Sequence, residues 1–271
     1  MTEYVIAVIG DTHIGSSTAL SPLQFTIHNR ATLEEQITYA NRLQEWLYGC
    51  WVDYWDYVYH LCGKGKKGKR LIVIHLGDVI DGNHHGSNQL VQEVEDQVQI
   101  ALDLLEPIRN KSHKFIGILG TMPFHAGQDH ATELEIYKKL DADYIEQAVT
   151  INIDGILIDL AHHGKSGTRP WTTSAVSEGA EVMLDYAQQG QPLPNFILRG
   201  HTHKFDDSGM KFQHTRVIQC PSWQLKTAYG WRVSSNTVRS DIGGVIINDG
   251  ILDLSKSRYT GQPDGRKIIK L

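Results

Sequence analysis

The chain has 271 residues, a net charge of −5 and a hydrophobic fraction of 41%, a composition typical of a folded globular protein. This acidic balance provides no overall basic surface for nucleic acid, and no apolar run approaches the roughly 20 residues of a membrane helix. The three cysteines lack metal-ligand spacing and the N-terminus lacks a signal-peptide pattern, so we predict a cytoplasmic protein.

The chain begins with a predicted strand, followed by a long predicted helix. Residues 4–10 are almost wholly apolar, which favours a strand buried on both faces. Residues 32–61 have helical spacing and many aromatic residues, which we interpret as a packing face, with base stacking as the alternative. The basic segment 63–70 is interpreted as a solvated turn, with contact to a phosphate backbone as the alternative.

Strands and helices continue to alternate up to residue 140. Buried strands are predicted within 70–78 and 113–120, and His75 inside the first of them is expected to be a core histidine with hydrogen-bond partners. An amphipathic helix is predicted over 88–108, stopping near Pro107, and another helix near 131–140. This alternation indicates an α/β core.

The second half of the chain is richer in strands. Two strands within 148–164 are joined at Asp154-Gly155, which is a strong hairpin signal, and a helix is predicted over 174–190. Further strands are predicted within 195–200, 214–220, 242–249 and 250–255, the last two joined by a second hairpin turn. We predict one domain over 1–271, of the α/β (α+β) class, with two packed mixed β-sheets in a sandwich flanked by helices.

Aspartate and histidine residues stand at or just beyond the carboxyl ends of five predicted strands. In chain order these are Asp11 and His13, Asp78 and Asp81, His125, His162 and His163, and His201 and His203. Ligands gather at the carboxyl ends of strands in α/β sheets. Carboxylate and imidazole together suit divalent ions such as Mn²⁺, Fe²⁺/Fe³⁺, Zn²⁺ or Ni²⁺. Two such ions about 3.5–4 Å apart can clamp an in-line phosphoryl displacement and lower the pKa of a shared water.

The segments GDTHIG, GDVID, HHG and GHTH, in this order between Asp11 and His203, resemble the calcineurin-like metallophosphoesterases. The resemblance implies a β-sandwich with a two-metal centre at which a metal-activated hydroxide, near Asp78, attacks phosphorus. It implies the following ligands: Asp11, His13 and His203 for one ion, Asp78 as the bridge, and His162 and His201 for the second ion, with His163 as the alternative to His162.

The third motif of that family, Gly-Asn-His, is altered in this chain. Thr121 and Met122 follow Gly120, and the next histidine is His125. The missing amide ligand could be replaced by Thr121 or by Asn83, His125 could itself bind the ion, or the second site could be open. We favour His125 as the replacement for the missing catalytic histidine. His84 and its neighbour His85 are considered for substrate contact.

From these features we predict a metal-dependent phosphoesterase, and we favour a phosphodiester of the nucleotide or single-stranded nucleic-acid type as substrate. One alternative is a phosphomonoesterase or protein phosphatase of the same fold. The other is a non-catalytic metal-binding scaffold, which the altered third motif supports and the retained ligands oppose. The sequence does not predict an oligomeric state.

Overall fold

The computed structural model describes residues 3–29, 32, 34–63, 68–83, 89–164, 174–233 and 239–263. The strands are β1 (Tyr4–Ile9), β2 (Gln24–His28), β3 (Glu35–Tyr39), β4 (Arg70–His75), β5 (Lys114–Ile118), β6 (Tyr144–Glu146), β7 (Ala148–Ile153), β8 (Ile156–Ala161), β9 (Phe196–Arg199), β10 (Asp206–Asp207), β11 (Arg216–Gln219), β12 (Val245–Asn248) and β13 (Ile251–Asp253). The α-helices are α1 (Arg42–Cys62), α2 (Val94–Arg109), α3 (Ala131–Lys139), α4 (Ser174–Gln188) and α5 (Ala228–Val233). The predicted substrate contact at His84 and residues 64–67 of the basic segment 63–70 lie outside the described residues.

Within the described residues, the strands form two mixed sheets and a separate β2–β3 hairpin. The first sheet has the order β13-β12-β1-β4-β5-β6, in which β1, β4, β5 and β6 are parallel and β12 pairs antiparallel with both β1 and β13. The second has the order β10-β11-β9-β8-β7, with a parallel centre of β8, β9 and β11. The predicted fold, two mixed sheets flanked by helices, is confirmed.

Each main strand of the first sheet is buried on both faces. In β1, Ile6 and Val8 pack against the second sheet, whereas the alternate residues Val5 and Ala7 pack against the helices. Helices α1, α2 and α3 cover this outer face, and α4 covers the outer face of the second sheet. The almost wholly apolar sequence of β1 follows from this burial on both sides.

The helix predicted over 32–61 is wrong in its first part. Strand β3 pairs antiparallel with β2, and Ile37, an apolar residue within the segment that has helical spacing, is 56% exposed. The helix starts only after Asn41, whose side-chain oxygen accepts from the backbone N–H groups of Leu43 and Gln44 at 2.8 and 3.2 Å. This capping box separates the two elements, and the consecutive Ile, Thr and Tyr residues before it favour a strand once a partner is present.

The other differences concern short elements and helix ends. Sequence reasoning missed β6, β10 and α5, which have three, two and six residues and are too short to carry a periodic pattern. The helix predicted from residue 88 begins only at Val94, and Pro107 lies inside its last turn. None of the described helices combines the length and apolar character needed to cross a membrane.

Both predicted hairpin turns and the core histidine are confirmed. Asp154 and Gly155 have φ of 49° and 92°, and Asp249 and Gly250 have φ of 49° and 78°, as tight two-residue hairpin turns require. The His75 side chain is fully buried, and its ring nitrogens lie within hydrogen-bond distance of Thr12 and Tyr137. Burial lowers the pKa of His75 to about 3, so the ring is neutral at physiological pH.

Candidate metal centre

The predicted ligands come together because the strands that precede them are neighbours. Strands β1, β4 and β5 are parallel in one sheet, and β8 and β9 are parallel in the other, so their carboxyl ends share one edge of the sandwich. Several of these residues have a left-handed backbone that few side chains adopt: Asp11 (φ 51°), His13 (43°), Asp78 (52°), His201 (69°) and His203 (53°). The chain turns sharply after each strand, and this recurrence of an uncommon conformation is typical of functional sites.

One group of side chains consists of Asp11, His13 and His203, which could hold a metal ion. Asp11 Oδ1 lies 3.8 Å from His13 Nε2 and 3.2 Å from His203 Nε2, and the two Nε2 atoms are 3.0 Å apart. Asp11 and His13 are buried, whereas His203 is partly exposed. Two imidazole nitrogens that face each other beside a carboxylate fit a divalent cation between them, because such a cation satisfies all three lone pairs.

A second group lies on the other side of Asp78 and contains His162, His163 and His201. The buried His162 donates from Nδ1 to the Leu76 carbonyl at 2.6 Å, which directs its Nε2 lone pair toward the centre. Asp78 Oδ2 lies 3.1 Å from His162 Nε2 and 3.8 Å from His13 Nε2 in the first group. A single carboxylate oxygen is therefore placed between an imidazole of each group, as a bridging ligand would be.

The structure separates the two histidines that follow β8. His162 is buried and contacts Asp78, whereas His163 is exposed and packs edge-on against His201, with ring centroids 4.4 Å apart. His163 nevertheless belongs to the group that could hold an ion, so it remains an alternative ligand.

Thr121 occupies the position where the family motif has asparagine. Its backbone N–H donates to Asp78 Oδ1 at 2.6 Å and its hydroxyl donates to Asp78 Oδ2 at 3.1 Å. The same hydroxyl oxygen lies 3.2 Å from His162 Nε2 and 3.3 Å from His201 Nδ1. The exposed Asn83 instead donates its side-chain amide to the Gln92 carbonyl at 2.8 Å. Of the two candidate replacements, the fold brings Thr121 to the second group.

His125 lies beside the first group. Its Nδ1 donates to the Asp81 carbonyl at 2.7 Å, and its ring meets that of His13 edge to face at a centroid distance of 4.4 Å. His13, Asp81 and His125 are also arranged closely enough to hold a cation. His125 therefore comes close to the predicted ligands, but on the His13 side of the centre.

Glu133 was not assigned to the site from the sequence, and Asp81 was named among the residues at the strand ends without a role. Glu133 is fully buried at the start of α3, and its carboxylate accepts from the N–H groups of Val79 and Gly120 at 3.0 and 2.5 Å. These contacts tie together the turns that carry Asp78 and Thr121. The Asp81 carboxylate lies 3.6 Å from His13 Nδ1 and accepts from Gln224 at 3.2 Å. Glu133 gave no sequence signal, because it lies within an ordinary amphipathic helix.

Gly120 allows the close approach between β5 and the Asp78 turn. A Cβ atom at this position would lie 2.2 Å from Asp78 Oδ1 and 2.4 Å from the Asp78 backbone nitrogen. Any other residue would displace the carboxylate from its place between the two groups, so the glycine that opens the altered motif has a steric role.

The electrostatics of the centre couple the carboxylates to the imidazoles. Burial raises the pKa of Asp11, but the neighbouring imidazoles of His203, His13 and His162 outweigh burial and hold this pKa well below its usual range. Burial lowers the pKa of His13, but the nearby carboxylates of Asp11, Asp81 and Asp78 prevail and raise it to about 10. Burial and nearby Asp78 similarly oppose each other at His162, whose pKa rises to about 9. The carboxylates are thus ionised and attract positive charge, which suits a cation site.

No curated protein matched the sequence significantly. Solved structures that resemble the chain include an archaeal phosphodiesterase (11% identity, 90% of this chain and 92% of that chain covered, TM-score 0.42) and the Escherichia coli phosphoesterase Yfce (12%, 92% and 90%, TM-score 0.40). A third is Vps29 of Entamoeba histolytica complexed with Zn²⁺ (16%, 92% and 88%, TM-score 0.41). These likenesses are too distant to carry a functional conclusion.

The family model described as calcineurin-like phosphoesterase matches residues 4–205, which include every predicted ligand from Asp11 to His203. This match extends over more than half of the chain. The chain therefore belongs to the calcineurin-like phosphoesterase family.

Proposed function

We propose that the chain is a metal-dependent phosphodiesterase that binds two divalent ions. The observation that carries the proposal is the position of Asp78 Oδ2, which is 3.1 Å from His162 Nε2 and 3.8 Å from His13 Nε2. In this proposal Asp11, His13 and His203 hold one ion, His162, His201 and Thr121 hold the other, and Asp78 is shared. Such ions, when bound, polarise a phosphoryl oxygen and lower the pKa of a water molecule.

The chain's own residues orient the ligands and supply a proton. Asp81 lies beside Nδ1 of His13, and the Leu76 carbonyl accepts from Nδ1 of His162, so each ring presents its Nε2 atom to the centre. His125 donates from Nδ1 to the Asp81 carbonyl, which fixes the ring and makes Nε2 the nitrogen that would protonate a leaving oxygen. We assign this general-acid role to His125 within the proposal.

A phosphodiester is favoured over a monoester, with nucleotides or single-stranded nucleic acid as the substrate class and Mn²⁺ as the first ion to test. The test uses bis(p-nitrophenyl) phosphate and p-nitrophenyl phosphate with Mn²⁺, with His201→Asn as the perturbed variant. His113→Asn is the matched control, because His113 is an exposed histidine outside both ligand groups.

The expected result is Mn²⁺-dependent cleavage of the diester, abolished by a chelator, reduced in His201→Asn and retained in His113→Asn. Faster cleavage of the monoester would favour a phosphomonoesterase of the same fold. Two bound ions without turnover of either ester would favour the non-catalytic scaffold. The cytoplasmic location and the single-domain organisation stay predictions.

A further inference from the structure

A pocket of about 350 Å³ opens directly beside the first ligand group. His201 and His203 line this pocket, together with residues that include Lys204, Lys226 and Thr227. We call it the lysine pocket. It brings two cationic side chains next to the place where the proposed reaction occurs, although the protein as a whole is acidic.

Lys204 carries a charge that is poorly compensated. In the part of the chain that the structure describes, its Nζ atom is shielded from solvent and has no hydrogen-bond partner. The charge of Asp241 acts on Lys204, but the Asp241 carboxylate already accepts from the Phe205 N–H at 3.0 Å and lies 3.5 Å from Arg258 Nε. A buried ammonium without an acceptor is unfavourable, and rotation about its flexible four-carbon chain would bring it to an anion in the pocket.

Trp231 contacts Lys226, one of the residues that line the lysine pocket. Lys226 Nζ lies 4.4 Å from the centroid of the Trp231 ring, and the Trp231 side chain is 41% exposed. An exposed indole beside cationic side chains is the combination that single-stranded nucleic-acid sites use, because the ring stacks on a base while the cations bind phosphate.

We propose that the lysine pocket binds a second, non-scissile phosphate of an oligonucleotide substrate, with the neighbouring base against Trp231. This inference rests on the proposed phosphodiesterase function and narrows its substrate class. The pocket volume is at the small end of the range of about 300–1,000 Å³ for ligand pockets, so it suits one nucleotide unit rather than a duplex.

The test compares dinucleotides that share one scissile bond and differ only by a terminal phosphate: dTpdT, pdTpdT and dTpdTp, each with Mn²⁺. We expect kcat/KM for one of the two phosphorylated forms to exceed that for dTpdT on the order of 10-fold to 100-fold, as charge-assisted hydrogen bonds provide. The variant Lys204→Met/Lys226→Met should lose this preference. The control Lys138→Met/Lys139→Met removes two exposed lysines from α3 and should keep it.

The ratio of kcat/KM for a phosphorylated dinucleotide to kcat/KM for dTpdT is unaffected by a general loss of activity, because every dinucleotide is cleaved at the same linkage. Equal kcat/KM for all three dinucleotides, or a preference that persists in the Lys204→Met/Lys226→Met variant, would refute the proposal that the lysine pocket binds a non-scissile phosphate. Trp231→Ala should weaken the binding of pdTpdT or dTpdTp more than Trp231→Phe does, since Phe retains a stacking surface.

A second measurement separates the proposed phosphodiesterase activity from the proposed phosphate binding in the lysine pocket. If bis(p-nitrophenyl) phosphate is not cleaved with Mn²⁺, the catalytic proposal fails. Calorimetric Kd values of the dinucleotides then test the pocket alone, and tighter binding of a phosphorylated form, lost only in the Lys204→Met/Lys226→Met variant, supports it. Equal Kd values refute it.

Discussion

The Thr121 hydroxyl should strengthen the binding of a metal ion at the second ligand group. Its oxygen lies 3.1 Å from Asp78 Oδ2, 3.2 Å from His162 Nε2 and 3.3 Å from His201 Nδ1. Thr121→Val removes this oxygen with little change of shape, so an ion at this group would lose a ligand and Asp78 would lose a hydrogen bond.

The expected magnitude follows from these contacts. A hydrogen bond to a charged group contributes about 1.5–3 kcal/mol, which corresponds to a change of about 10-fold to 100-fold in an equilibrium constant. Altered partners of metal ligands reduce metal affinity by a similar factor. We therefore expect Thr121→Val to bind the second Mn²⁺ ion about 10-fold to 100-fold more weakly, while the affinity for the first ion stays near the wild-type value.

Isothermal titration with Mn²⁺ and metal analysis after dialysis measure this change. Thr121→Ser keeps the hydroxyl and should bind two ions, and Thr121→Asn supplies an amide oxygen and should also restore the second ion. Circular dichroism checks that each variant is folded. If a folded Thr121→Val protein binds two ions with wild-type affinity, Thr121 is not a ligand and the assignment of the second site must be abandoned.

Three further predictions concern neighbouring groups. Glu133→Gln replaces an acceptor oxygen with a donor facing a backbone N–H, so urea unfolding should show a loss of about 1–3 kcal/mol, and an unchanged midpoint would contradict this role. His125→Ala should slow esters with poor leaving groups more than those with good ones, and equal effects would exclude the general-acid role. Asp96 raises the pKa of His28 through a 2.6 Å hydrogen bond, so its contribution to stability is complete below the unfolded pKa and is lost as pH rises through the folded pKa. Titration of His28 by NMR should give a lower pKa in Asp96→Asn, and an equal pKa in both proteins would refute the pairing.

The local sequence pattern was sufficient for the main layers of the fold. Buried strands such as β1 and β4 are continuous apolar runs, and the Asp154-Gly155 turn specifies its hairpin within a few residues. The same pattern failed at residues 35–39, where helical spacing and strand preference coincide. Pairing with β2, which lies earlier in the chain, decides between them, and that contact is not visible in a local window.

The sequence by itself determined which residue types meet at the candidate metal centre, because aspartate and histidine follow five predicted strands, and the carboxyl ends of parallel strands lie at one edge of a sheet. Only the tertiary structure decided which partners complete it. It brought Thr121, rather than Asn83, to the second ligand group and turned Glu133 from α3 onto the Asp78 turn. It also placed Lys204 and Lys226 beside His203 in one pocket. These contacts join residues that are distant in the chain or depend on side-chain direction, so packing of the two sheets had to fix them.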